Sequence, residues 1–93
     1  MLIEWDAAKA RKNMAKHQVS FGEASTVFGD PLALTIPDSA HSDQEERFVT
    51  LGVTANFKTV VVAHVDRNER IRIISARDAT WRERKDYEEG IKS

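Results

Sequence analysis

The sequence predicts a single α+β domain, and three observations carry that prediction. Two helical segments near the N-terminus are marked by capping residues. Three apolar strand candidates follow at hairpin spacing between residues 47 and 76, and a capping box then opens a charged helix. At 93 residues and 10.5 kDa the chain has room for one small core, so its stability is expected to be marginal.

Taken in order, Leu2-Ile3-Glu4-Trp5 reads as a short strand, and Asp6 is a natural N-cap for the Ala-rich segment 7–17. Ala7, Ala10 and Met14 recur at i, i+3, i+7 and predict the side that lies against a sheet. Lys9, Lys12 and Lys16 make a second stripe at the same spacing. Ser20 and Glu23 form a capping box for a second short helix, with Val19 and Ala24 as its hydrophobic staple and Ala24, Val27 and Phe28 as its buried side. Gly29-Asp30-Pro31 ends it. Residues 32–36 suit an edge strand at best, because Pro31 and Pro37 cannot donate to a ladder. Residues 37–44 are polar and loop-like. Segments 47–53, 59–65 and 70–76 predict an antiparallel meander, and the unbroken run Val60-Val61-Val62-Ala63 predicts a central strand covered on both faces. Thr80 and Glu83 are the last capping box. Their helix is expected to stop near Glu89, before Gly90, with Trp81, Tyr87 and Ile91 as its only large apolar residues.

Several function classes are excluded. Cysteine is absent, which removes disulfides, thiolate zinc sites and a thiol nucleophile. His17, His41 and His64 lack metal-ligand spacing, no phosphate-cradling glycine motif occurs, and no cofactor or metal is expected. No apolar run spans a membrane and the first residues do not read as a signal peptide, so a cytoplasmic domain covering residues 1–93 is expected. The net charge of −1 conceals an asymmetry. Residues 1–46 hold four Lys/Arg and eight Asp/Glu; residues 47–93 hold ten and seven. From Asp30 to Glu46 there are five acids and no Lys or Arg. Between Arg67 and Lys85 lie seven bases, six of them arginine, whose planar fork matches phosphate oxygens. Solvated faces of strands and a helix are the plainer reading of this charge; the sharper one is a polyanion surface in the C-terminal half, with the acidic stretch and the lightly apolar last helix left for a partner.

The motif order adds a resemblance. Ile3-Glu4-Trp5-Asp6, Lys9, Asn13, Lys16-His17 and Val19-Ser20-Phe21 are followed by Ala24, Val27-Phe28, Asp30-Pro31, Glu46-Arg47 and Gly52. The series ends in Arg72-Ile73-Ile74-Ser75-Ala76-Arg77, Glu83 and Tyr87. Nearly the whole chain thus resembles BrnT-type toxins of bacterial type II toxin–antitoxin systems. Gln18 departs from that pattern, standing where a glycine is usual and where strain at the helix end is expected. The resemblance implies a RelE-like fold, with two N-terminal helices packed on an antiparallel sheet and a charged C-terminal helix. It implies an endoribonuclease that inhibits translation and is neutralised by a BrnA-type ribbon-helix-helix antitoxin, with operator DNA reached only through that complex.

Cleaving RNA without a metal requires removal of the 2′-OH proton, stabilisation of charge on the pentacoordinate phosphorus, and protonation of the leaving 5′-oxygen. Arginine suits the second role. Arg72 and Arg77 are the first candidates because they bracket the strongest motif of the resemblance. Glu46 and Arg47 open a strand, and Glu46 could pair with Arg72 or Arg77 for structure or for base chemistry. His64 is the histidine best placed to titrate near neutrality, although a satisfied core histidine is the plainer reading. Arg70, Lys9, Lys12, Lys16 and Tyr87 are candidates for RNA contact, with solvated lysines and an anchoring tyrosine as the plainer reading. A non-catalytic RNA- or protein-binding module is the alternative to an enzyme.

Overall fold

The computed structural model describes residues 2–41 and 45–92, with side-chain detail to Gly90. Asp43 of the acidic stretch and the Ile91 side chain lie outside that description. The elements are β1 (Leu2–Trp5), α1 (Ala7–His17), α2 (Phe21–Ser25) running into a 3-10 turn (Thr26–Gly29), and β2 (Leu34–Pro37). A second 3-10 turn (Ser39–His41), β3 (Arg47–Val53), β4 (Thr59–Arg67), β5 (Arg70–Asp78) and α3 (Trp81–Lys92) complete the chain.

The strands form one sheet in the order β1-β5-β4-β3-β2. Strands β2 to β5 are antiparallel to their neighbours, whereas β1 runs parallel to β5. The sheet is therefore mixed and five-stranded, not the purely antiparallel sheet expected from the meander. The chain returns to the β5 edge from its N-terminus, and the hairpin rule says nothing about that pairing. As expected, β4 is central and buried from Val60 to Val65. Asn68 and Glu69 both take positive φ, 48° and 68°, the geometry a two-residue hairpin turn needs, so β4 runs on to Arg67; β5 extends at its far end, to Asp78.

Cross-strand partners share a face, so the register sorts the side chains. The inner face carries Phe48 and Thr50 of β3, Val60, Val62 and His64 of β4, and Ile71, Ile73 and Ala76 of β5. Val19, Phe21, Ala24 and Val27, from α2, its 3-10 turn and the residues leading into it, seal that face as the core, with Trp5 edge-on to Phe21 at 6.2 Å. A bulge at the Ala63–His64 step pairs His64 with Ile73 and Ala63 with Ser75, leaving Ile74 as an extra residue. The bulge flips the alternation. Arg70, Arg72, Ser75 and Arg77 consequently all point to the outer face, opposite Arg67, Val65, Ala63 and Val61.

Helix α1 corrects one expectation. Met14 is 49% exposed, and the buried residue is Asn13. The helix lies along the edge of β5 that the short β1 leaves open, where backbone groups need polar partners. The Asn13 amide donates to the carbonyls of Ala76 and Val19 at 2.8 and 3.0 Å and accepts from the Ala76 N–H at 3.0 Å. An aliphatic stripe cannot do that. Gln18 sits at the helix end in the left-handed region (φ 56°), and its side-chain amide donates to Ala15 O, returning some of the cost of that conformation.

Of the two capping boxes, Thr80–Glu83 is complete in both directions. At Ser20 only the first half forms, because the Glu23 carboxylate accepts from Thr54 instead. Gly90 does not stop α3, which runs past it to Lys92. Tyr87 Oη helps to hold this helix by donating to Asp30 Oδ2 at 2.6 Å.

Candidate functional site

Arginines gather at one end of the outer face. Val65 of β4 has Arg47 as its partner on β3 and Arg72 on β5, and in the next row Arg67 faces Arg70 directly. With strands about 4.8 Å apart, the Arg47 and Arg72 backbones lie about 10 Å apart across the sheet. Like charges directly opposite one another destabilise a ladder, and carboxylates offset this here. Glu4 lies 2.7 Å from Arg72 and 3.6 Å from Arg70, Asp38 lies 3.6 Å from Arg47, and Glu45 forms a two-pronged pair with Arg67. The Glu45 carboxyl is held below its usual range chiefly by Arg67, with Arg72 contributing through space. The acidic stretch therefore supplies counter-charges to the basic half of the chain.

Arg77 sits apart from that group. It faces Val61, four residues along β4 from Val65, or about 13 Å. Its guanidinium is bidentate to Glu83 at 2.8 and 2.9 Å, binding α3 to the sheet. That contact, ahead of the capping hydrogen bond from Thr80, takes the Glu83 carboxyl down to about 2. Neither Glu46–Arg72 nor Glu46–Arg77 forms a pair; Glu46 is exposed just ahead of β3.

Lys9, Lys12 and Lys16 border an open cleft of about 220 Å³ with Asn13, His17, Ile74 and Ser75. Among the described residues none of the three lysines has an ion-pair partner. Ser75 lies between Arg72 and Arg77 in the outer-face series, so the lysine cleft meets the arginine face there.

Two candidates are internal. His64 is 2% exposed, edge-on to Phe28 at 5.0 Å and stacked on Phe48 at 5.9 Å. Its Nε2 lies 2.8 Å from Thr50 Oγ1, its Nδ1 lies 3.0 Å from Asp66 Oδ1, and Thr35 Oγ1 continues the chain from Thr50 at 2.8 Å. The order hydroxyl–imidazole–carboxylate is that of a catalytic triad, but Thr50 is as deeply buried as His64 and a substrate has no way in. Burial lowers the His64 pKa against the pull of Asp66 and favours the neutral ring. Tyr87 is likewise buried, and burial together with its bond to Asp30 pushes the phenol up to about 12. It anchors α3.

Residue-type reasoning left Arg67 and Glu4 out of the candidate site. A turn joining Arg67 to Arg70 was the available signal, since it sets them face to face. Among the described residues no three His, Asp or Glu side chains converge as a metal cluster, and no helix is long and apolar enough to cross a membrane.

Fold and site together define a class: a small α+β protein with a five-stranded mixed sheet and guanidinium groups gathered at one end of its open face. Residues 5–83 match the family described as "Ribonuclease toxin, BrnT, of type II toxin-antitoxin system", and the chain belongs to that family. The crystal structure of the Brucella abortus ribonuclease toxin, BrnT, has the same fold, with a TM-score of 0.67 and 24% identity over 86% of this chain and 97% of that one. No curated relative matches the sequence.

Proposed function

We propose that this family member is a cytoplasmic endoribonuclease toxin of RelE-like fold that cleaves RNA without a metal, inhibits translation and is neutralised by a BrnA-type ribbon-helix-helix antitoxin. The observation that carries the proposal is the outer-face group of Arg47, Arg67, Arg70 and Arg72 in two adjacent rows. A chain of net charge −1 that sets arginine opposite arginine balances them only with partly exposed carboxylates, which a polyanion can displace.

In this reading Arg72 and Arg47 meet the charge that develops on the phosphorus, where their fixed forks need little reorganisation. Their present carboxylate partners are displaced by the phosphate. Glu46, exposed beside Arg47, is the candidate general base for the 2′-OH. Arg67, Arg70 and the lysines of α1 hold flanking phosphates. Arg77 supports the site by holding α3, and His64 and Tyr87 belong to the scaffold.

Purified protein incubated with bulk RNA in EDTA tests the reading. Fragments that disappear in an Arg72→Ala preparation are the expected result. RNA left intact but retained by the protein would make this a binding module without chemistry.

A further inference from the structure

We propose that the groove between α3 and the β2–β4 end of the outer face is the docking site for the antitoxin, and that its occupant is a short segment carrying aliphatic side chains flanked by lysine or arginine. This rests on the toxin reading above and adds the surface and the chemistry of the partner.

The floor of the groove is built by Leu34, Ile36, Val49, Leu51 and Val61, outer-face side chains of three adjacent strands, around a space of about 260 Å³. Leu34 and Ile36 remain 40% and 63% exposed. A domain of this size has little apolar surface to leave in water, so an aliphatic trough marks a surface that something covers. The wall carries one open negative charge: Glu83 and Asp86 project from α3, Glu83 is held by Arg77, and Asp86 has no ion pair among the described residues.

That combination discriminates between classes of ligand. Phosphates would meet the Asp86 carboxylate and an apolar floor, which favours RNA at the arginine end instead. A protein segment with two or three aliphatic anchors fills the space, and its cationic flank meets Asp86. Strand β2 is also the sheet edge, four residues long and paired only with β3, so its outer side offers backbone groups to an extended chain. Val61 at the far side of the trough is the cross-strand partner of Arg77, so an occupant approaches the basic region from its flank.

Isothermal titration of the protein with the antitoxin encoded beside it, at fixed salt, tests the site. Ile36→Glu and Leu34→Glu should each weaken binding by about 30-fold or more, because a carboxylate is forced into the trough. Asp86→Lys should weaken it by about tenfold. Met14→Glu, on the exposed side of α1, should bind as the parent does. Thermal melts establish that each variant is folded, and Ile36→Glu should still cleave RNA. If the parent binds and all three groove variants match it, the docking site is wrong while the toxin reading stands. If the parent does not bind that antitoxin at all, the partner reading fails and takes the docking site with it.

Discussion

The two faces of one sheet have opposite solutions to the same problem of polar side chains. On the inner face Thr35, Thr50 and His64 form one internal chain that ends on Asp66 at the rim, and at the β5 edge the buried Asn13 closes the backbone of Ala76. On the outer face charge is concentrated, then only locally balanced by Glu4, Asp38 and Glu45 at partly exposed positions. Exposed ion pairs add little to stability. Polar groups that stabilise are buried and satisfied, whereas polar groups held ready for a ligand sit at the rim with partners they can release.

The comparison is tested most severely at Arg72. Arg72→Ala should lower the RNA-cleavage rate by about a hundred- to a thousand-fold, roughly 3–4 kcal/mol on the barrier, with the melting temperature nearly unchanged. Lysine should restore only part of the rate, since a point charge does not copy the fork. A variant that melts early yet keeps its activity per folded molecule would make Arg72 scaffold and erase the distinction between the faces.

The mirror experiment is at the buried edge of β5. Asn13→Ala strands the Ala76 amide and two carbonyls and should cost about 2–3 kcal/mol in urea unfolding, while the rate per folded molecule holds. Equal losses of rate and stability would mean that the faces are not separable.

How much of this was legible beforehand divides along the same line. Local signals read well: the Thr80–Glu83 box, the bounds of β3 and the burial of β4 follow from residue type and alternation. Long-range events were hidden. Nothing in Leu2–Trp5 announces a parallel partner 68 residues on, as the Glu4–Arg72 contact requires. Apolar periodicity nominated Met14 because it has no term for an open backbone edge, which selected Asn13. Arg72 and Arg77 looked like a pair in sequence, but β5 parts them, giving one to the arginine group and the other to α3.

A smaller effect concerns α3, which bridges the two regions. The native Glu83 carboxyl lies near 2 against its usual 4.5, so its tie to Arg77 contributes fully above pH 4.5 and fades as pH falls toward 2. Tyr87, raised from 10.0 to about 12, contributes below pH 10 and is lost as pH climbs toward 12. Tyrosinate absorbance from the one tyrosine should therefore appear near pH 12, and near-UV dichroism should change at both extremes. Ionisation of Tyr87 at its ordinary value would mean that α3 is not docked in solution.

The smallest effect is at Gln18. Gln18→Gly should stabilise the protein by about 1 kcal/mol or less, because relief of the left-handed strain is partly cancelled by the lost bond to Ala15 and by glycine's freedom when unfolded. Chemical denaturation resolves the sign, and a loss of stability would show that the side-chain bond outweighs the strain.

The extra residue in β5 also bears on how such a chain can change length. A strand counts in twos, so one residue added in regular pairing inverts everything downstream, whereas a bulge sets the odd residue aside and keeps the faces. Deleting Ile74 would leave a regular ladder in which Ser75 follows Ile73, with Ser75 and Arg77 still on the outer face and Ala76 still on the inner one. Between Arg72 and Arg77 the bulge is thus the place where the chain takes up an odd residue and still keeps both arginines on one face.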